Sequence, residues 1–367
     1  MKRTLKNTLI AFLLIVAAAI VVVAIYASYL FLSYSRIEDR AELTIKNQTQ
    51  ANVKIGEAYS VVTYNVGFGC YSPEFSFFMD EADWKDGKHT VGVYGRGINK
   101  DDVIKDTLGT GSVLTSINPD FILLQEVDEK ATRSFNINMK SYYEEHFSSM
   151  SSTYAVNFHS AYLNLPIYDP HGIVNAGLLT LAKYKSSKAE RISYPVSSAL
   201  FKIADLDRCF SVVRFALDNG KELVIINNHM SAYDEGGVIR KAQLDTLNSY
   251  ILNEYEKGNY VIVGGDFNHA LGEEYANAFK TDQLLPEWVS ILNNSDLPKG
   301  FSIVKPENGF IVPSVRSCDI PYTKGKNYLT IVDGFIVSDN IISSSYVYDT
   351  GFAYSDHQPV VLSFVLK

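Results

Sequence analysis

Cysteine is scarce in this chain: Cys70, Cys209 and Cys318 are the three among 367 residues. At most one pair could form, which leaves a thiol free and excludes a disulfide framework. No two of them have metal-ligand spacing, so a structural zinc site is not expected. No run of Pro, Gly/Ser or like charges marks a long linker, and no internal repeat is present. Positive charge is also lacking. The net charge is −8, and the part beyond residue 35 stands at −11 once Lys2, Arg3 and Lys6 are set aside. A protein that grips nucleic acid without sequence preference needs a basic footprint, so this balance speaks against one while leaving room for a local patch.

One absence is local. No charged residue lies between Lys6 and Arg36, and that interval holds LIAFLLIVAAAIVVVAIYASYLFL. A helix of about 20 apolar residues crosses the hydrocarbon core of a bilayer. A lone segment there must be helical, because its backbone has no other partner. A cleaved signal peptide has an apolar stretch of only about 7–15 residues. Val22-Val23-Ala24 offers a weak cleavage pattern, but the run continues past it to Leu32. A buried helix of a soluble protein is the remaining alternative. The basic N-terminus should stay in the cytoplasm, since the residues beyond the span are mixed in sign. The expected layout is a cytoplasmic N-terminus (1–7), a transmembrane helix (8–32), a polar helical stalk (33–57) and one large domain (58–367). The expected location is the cell membrane, single-pass, with the domain extracytoplasmic.

The chain as a whole carries 47% hydrophobic and 20% charged residues, enough for a sizeable core. Strand-like runs rich in Val, Ile and aromatics recur: YSVVTYNV, DFILLQEV, AGLLTLA, CFSVVRFAL, ELVIINNHM, YVIVGGDF, TIVDGFIV and PVVLSFVL. Several are apolar almost throughout, as strands covered on both faces are. Helical patterns interrupt them. One runs from Lys100 to Ile117 with Val103, Leu108, Val113, Leu114 and Ile117 near one face. Another, ending at Gly258, has Val238, Ile239, Leu244, Leu247 and Ile251 on its face. Interleaved strands and helices predict a layered α/β domain. Residues 71–100 and 283–328 read as long decorated loops.

The strands end in residues that suit metal or phosphate. VVTYN ends at Asn65, FILLQE at Glu126, VIINNH at His229, and VIVGGDFN at Asp266 and Asn268; TIVD carries Asp333, and Asp356-His357 precede the last strand. Each has a plain alternative. Glu126 is also a solvated strand end, Asp266 a turn former, His229 a surface histidine and Asn65 a cap. Asp333 is also a paired structural acid, and Asp356-His357 a simple strand start. Their joint order is what tells. Converging at one rim, these acids, amides and imidazoles would suit Mg²⁺, which takes oxygen ligands and substrate phosphate.

That order resembles the endonuclease/exonuclease/phosphatase superfamily over residues 58–367. YNV (64–66), LQEV (124–127), NNHM (227–230), GDFN (265–268), VDGFIVS (332–338) and SDHQPV (355–360) look like its six motifs in sequence order. VNAGLLTLAKY, with Asn175, and Asp207-Arg208 are looser likenesses; the first lacks the usual Ser-Arg ending. The resemblance implies a four-layer α/β/β/α sandwich of two packed, mostly antiparallel sheets. It also implies in-line hydrolysis of a phosphoester with Mg²⁺, or Mn²⁺ in its place. Glu126, Asn65 and Asp356 would serve the metal. Asp266 and Asn268 would position or activate water. Asp333 would orient His357, and His229 would contact phosphate or protonate the leaving group. Asn175 and Arg208 would touch substrate. The general base stays open between Asp266 and the Asp333–His357 pair; a pKa near working pH favours His357.

Fold and chemistry do not name the substrate. One reading is a phospholipid head group or phosphorylated small molecule, favoured by the anchor and by the aromatic insert Tyr71, Phe75, Phe77, Phe78 and Trp84. The insert reads equally as a packed lid. A second reading is an extracellular nuclease, a third a noncatalytic binding protein on the same fold. Nothing in the sequence points to a protein partner.

Overall fold

The computed structural model describes residues 2–33, 35–196, 207–232 and 238–367. In chain order the main strands are β1 (Arg40–Glu42), β2 (Ala58–Asn65), β3 (Phe121–Ala131), β4 (Ser151–His159), β5 (Val174–Ala182), β6 (Lys188–Ser193) and β7 (Cys209–Ala216). They continue with β8 (Glu222–His229), β9 (Tyr260–Asp266), β10 (Phe301–Val304), β11 (Asp333–Ser338), β12 (Ile341–Val347) and β13 (Val360–Leu366). Four helices accompany them: α1 (Lys2–Leu32), α2 (Lys100–Ile117), α3 (Met139–His146) and α4 (Val238–Glu256).

Two large sheets result. The seven-stranded one runs β1-β6-β7-β8-β9-β11-β10, and the six-stranded one β12-β13-β2-β3-β5-β4. Each contains one parallel pair, β8–β9 and β2–β3, and is otherwise antiparallel. A parallel pair needs a crossover, and each has a helix to make it: α4 for the first, α2 for the second. Leu114 of α2 and Met139 and Tyr143 of α3 pack on Val62, Ile122, Leu124 and Leu179. Leu247 and Ile251 of α4 join the cluster of the seven-stranded sheet. The inner faces meet through Val61, Leu123, Ile225 and Phe335, giving the expected four layers. Each such fully buried side chain contributes about 1.5–3 kcal/mol. One polar bridge crosses this interior. Asn227 of β8 accepts from Gln125 (2.7 Å) and donates to the Leu124 and Leu179 carbonyls (3.1 and 3.2 Å). It fixes the sideways register of the sheets, because a slip would strand buried amide groups.

The bounds of α2 follow from its caps. Asn99 accepts from the Asp102 amide, and Asn118 closes the helix in the left-handed region, ahead of Pro119. Its buried face differs from the expected one. Leu108 is exposed, while Gly109 and Gly111 face the domain. A Cβ at either would fall 2.3 Å from Tyr354 or 2.2 Å from Tyr142, so α2 lies closer to its neighbours than a leucine face allows.

The expected helical stalk is not there. Residues 35–57 form a strap lying along the domain. Arg40–Glu42 adds a strand beside β6, Lys46 bridges to Ser152 on β4, and Val53 is buried. Arg40 pairs with Glu190 at 2.8 Å. Polar residues alternating at a half-covered sheet edge look like a polar helix in sequence alone.

Helix α1 is apolar as expected but begins at Lys2, taking in most of the segment set apart as the N-terminus. A window of it reaches a mean hydropathy of 3.2 with none of it buried, so it could cross a membrane or serve as a signal sequence. The aromatic insert, in contrast, is packed inward. Tyr71, Phe75 and Phe77 join Phe68 in a buried cluster, and Trp84 is covered as well. The loop beyond residue 283 holds it there through Trp84–Gln283 and Phe77–Cys318 backbone pairing. The lid reading of that segment prevails.

Candidate active site

Strand register assembles the site. His229 and Asp266 are the last residues of β8 and β9 and lie side by side, and Asp333, the first residue of β11, lies opposite Asp266. This requires the two backbones to close tightly at Gly265, where a Cβ would sit 2.0 Å from the Asn228 carbonyl oxygen. From the other sheet β2 ends at Asn65, and β3 breaks register between Leu124 and Val127. In that bulge Glu126 takes φ +57°. A left-handed carboxylate residue in a strand stores about 1–3 kcal/mol of strain, tolerated where function sets the aim of a side chain.

The groups then meet across the sandwich. The Asn65 amide donates to Glu126 (3.3 Å) and to Asp266 Oδ2 (3.1 Å). The Asn268 backbone N–H donates to Asp266 Oδ1 at 2.8 Å. His229 Nε2 and His357 Nε2 flank Asp266 Oδ2 at 3.6 and 3.7 Å. His357 Nδ1 lies 2.8 Å from Asp333 Oδ2, which also accepts from Ser314 Oγ at 2.8 Å. Asp356 sits 3.9 Å from His357 Nε2. Its carboxylate lies where only Gly67, at φ +52°, leaves room; a Cβ there would be 3.0 Å from Asp356 Oδ1. Asp333 opens β11 and His357 comes just before β13. These strands lie in different sheets, and the pair forms across the gap between them.

Burial and mutual charge set the protonation states. Burial pushes Asp266 up to about 6, against the pull of His357. Burial also raises Glu126, with Arg133 opposing. For His357 burial works against the charge, but Asp333, Asp356 and Asp266 outweigh it and hold the imidazole well above its usual range. His229 is driven well below it by burial and by the nearby Arg208 and His357.

Glu126, His229, Asp266, Asn268, Asp356 and His357 floor a cavity of about 470 Å³, with Asn65 and Asp333 buried outside its lining. Its walls include Phe68, Phe158, Trp288 and the guanidinium groups of Arg133, Arg208 and Arg316, and Tyr26, Leu30 and Leu165 lie toward its mouth.

The endonuclease/exonuclease/phosphatase family model matches residues 62–357. The chain belongs to that family. No curated protein matches. Among solved structures of the fold, the D. rerio TDP2 complexed with a single-strand DNA product is similar at 14% identity and a TM-score of 0.52, covering 84% of this chain and 99% of the other. An endonuclease/exonuclease/phosphatase from Beutenbergia cavernae gives 14% identity and 0.52, covering 84% and 72%. TDP2 from C. elegans gives 14% and 0.50, covering 84% and 75%.

Within this family member the donor set fits a hard cation. Asp266, Asp333 and His357 each bring a ligand atom within 4.8 Å of the others. Glu126 and Asp356 add two more carboxylates, while Arg133, beside them, is committed to Asp128 at 2.8 Å. Asp333 Oδ1 and His229 Nδ1 are buried without a hydrogen-bond partner among the described residues.

Asn175 falls outside the group. Its amide donates to Glu129 (3.0 Å), while Ala176, on the opposite side of the strand, lines the cavity. Arg208 lines the cavity and lies near His229. Sequence reasoning missed Asn157, Arg133, Trp288 and Arg316. Asn157 lines the cavity with its amide nitrogen buried and unpartnered among the described residues. No motif surrounds these four; a buried amide in the strand SSTYAVNFH was the one available signal.

Proposed function

We propose that the protein is a Mg²⁺-dependent phosphoester hydrolase held at the cell membrane by α1, with its domain on the extracytoplasmic side. The observation that carries this reading is the meeting of Asp266 with Asn65, His229 and the Asp333–His357 pair at the floor of one cavity. A noncatalytic binding module has no use for that constellation.

Glu126 and Asp356 would hold the cation, with Asn65, whose amide nitrogen faces Glu126 and Asp266 and whose oxygen accepts from the Gly67 amide, helping to orient the shell around it. Asp333 and His357 are spent on one another, so they make a poorer seat than this oxygen set. When bound, the ion stabilises negative charge on the phosphoryl and leaving oxygens. The chain's own groups do the rest. Asp266, fixed by Asn65 and by the Asn268 amide, takes a proton from water as the water oxygen bonds to phosphorus and the ester P–O bond breaks. The choice of base thus moves from His357 to Asp266. An imidazole kept charged by three carboxylates is a poor base, whereas a carboxyl raised to about 6 is a competent one. His357, its Nδ1–H held by Asp333, presents Nε2–H to a phosphate oxygen. His229 stays neutral, which suits a hydrogen-bond donor to phosphate and not an acid. Arg208 and the Asn157 amide, both in the cavity lining, would meet the remaining oxygens.

A screen of the full chain in detergent tests this, with and without Mg²⁺ or Mn²⁺, on bis-p-nitrophenyl phosphate, phospholipids, inositol phosphates, DNA and RNA. Turnover abolished by chelation and restored by the cation is expected. Metal-independent turnover, or none, would sink the reading. The nuclease alternative draws on the fold shared with the DNA-bound D. rerio protein; activity confined to polynucleotides would select it.

A further inference from the structure

The mouth of the cavity adjoins the apolar helix. Tyr26 Oη donates to the Tyr162 carbonyl (3.0 Å) and accepts from the Asn164 amide (2.7 Å), and Tyr29 Oη accepts from the Tyr162 amide (3.1 Å). Tyr26 and Leu30 line the cavity together with Leu163 and Leu165. Tyr26 lies six residues before the end of α1 at Leu32, about 9 Å along the axis at 1.5 Å per residue. The loop 160–173 is therefore fastened below the upper end of the helix, at the depth where interfacial tyrosines anchor a span.

That loop is outward-facing and apolar. Leu165, Ile167 and Tyr168 are 59%, 78% and 73% exposed. Val91 and Val93 are also exposed, and the Tyr168 hydroxyl donates to the Val93 carbonyl at 3.1 Å. Its one acid, Asp169, is tied to Arg96 (2.6 Å) and to the Gly95 amide (3.0 Å). Its one imidazole, His171, is buried and pushed down to about 3, hence uncharged. The loop thus carries no free charge of its own, with exposed Glu81 opposite Val91 at its border. An apolar, aromatic segment of this kind belongs at a lipid interface rather than in water. The tether agrees. Residues 33–39 separate α1 from β1, a reach of about 25 Å at full extension.

From this geometry we propose that the loop 160–173, with the C-terminal turns of α1, seats the domain in the outer leaflet. The cavity mouth then opens at the lipid surface, and the substrate is a phosphoester whose apolar part remains in the bilayer. This rests on the hydrolase and anchor reading above. The helix carries the phosphate-binding floor no closer to soluble polynucleotide than to lipid, but the rim distinguishes them: it offers leucine, isoleucine and tyrosine where a nucleic acid would need cations.

Two measurements on the full chain in phosphatidylcholine vesicles test it. An Ile167→Trp variant in vesicles brominated on the acyl chains should lose about half or more of its added emission relative to plain vesicles, as expected for a ring within the acyl boundary. The wild type supplies the Trp84 and Trp288 background. Unquenched emission overturns the proposal, including the case where the rim instead joins two copies of the chain. The Ile167→Glu/Tyr168→Glu double variant should then lose about tenfold or more on a fluorogenic phospholipid phosphoester. Its turnover of soluble bis-p-nitrophenyl phosphate should stay within about twofold, since both residues lie outside the cavity lining. Equal losses on both substrates, or none on either, overturn the lipid-borne substrate. If the hydrolase reading alone is wrong, the wild type turns over neither compound while the quenching of the Ile167→Trp variant persists.

Discussion

At the floor of the cavity Asp266 and His357 are buried and held by named partners, Asp333 behind His357 among them, and His229 is buried beside Asp266. Its mouth carries Leu165, Ile167 and Tyr168, exposed and held mainly by the backbone of their own loop. On the floor, geometry is over-determined: moving one group leaves another buried and unpaired, so a rearrangement is costly. At the mouth, side chains cost little to change and acquire their value from whatever they touch outside the protein. On the proposed reading, the floor sets which bond breaks and the mouth sets what is brought to it.

The sharpest break in that contrast comes from Asp266→Asn. It should lower turnover by about 10³–10⁴-fold on soluble and lipid-borne substrates alike, because the base is lost to both. The wild-type kcat/KM should rise with pH through an acid limb at or below about 6, where Asp266 gives up its proton, and the variant should lack that limb. A retained limb would return the role of base to another group. Glu126→Gln should cost about 10³-fold and raise the cation concentration needed for half-maximal rate, with an unchanged unfolding midpoint. Unaltered Mg²⁺ dependence would remove Glu126 from the cation seat. His357→Ala should cost about 10²–10³-fold and Asp333→Asn less, and the double variant should lose less than the two together. Strict additivity in log rate would mean that the 2.8 Å contact does not couple them.

The smallest effect sharpens the comparison from the side of stability. Phe75, fully buried in the aromatic insert, should cost about 3–5 kcal/mol on change to Ala, read as a lower denaturant midpoint. Ile167→Ser at the mouth should stay within about 0.5 kcal/mol. Comparable losses at both positions would mean that the loop 160–173 is structural and not a surface for lipid.

Those two segments explain what the sequence could and could not reveal. FSFF and LNLPIY are both mostly apolar, and the aromatic one attracts attention as a membrane contact. The structure separates the two because burial depends on a distant partner: the Cys318 and Gln283 regions cover the insert, and nothing among the described residues covers Ile167. The floor was legible because each polar residue ends or opens an apolar strand, a local pattern that needs no partner to read. Its assembly was less so. Asp333 and His357 meet between sheets, and a sheet assignment depends on pairing that spacing alone does not dictate. Asn175 was placed at the site on a loose motif, and the two-residue alternation of β5 turned it to the other face. The strap misled for a related reason, since its alternation is weak and its strand only three residues long.

That strap has a practical meaning for anyone trimming the protein. β6 and β4 are where the two sheets stop, and unpaired N–H and C=O rows there are templates for pairing with another chain. Arg40–Glu42 covers the first and Lys46 part of the second. A secreted fragment started at residue 36 keeps both closed. One started at residue 58, where the family likeness begins, would contain every residue of the floor and yet bare both borders, along with the pocket left by Val53. Its fate should be self-association, and its inactivity would say nothing about the chemistry.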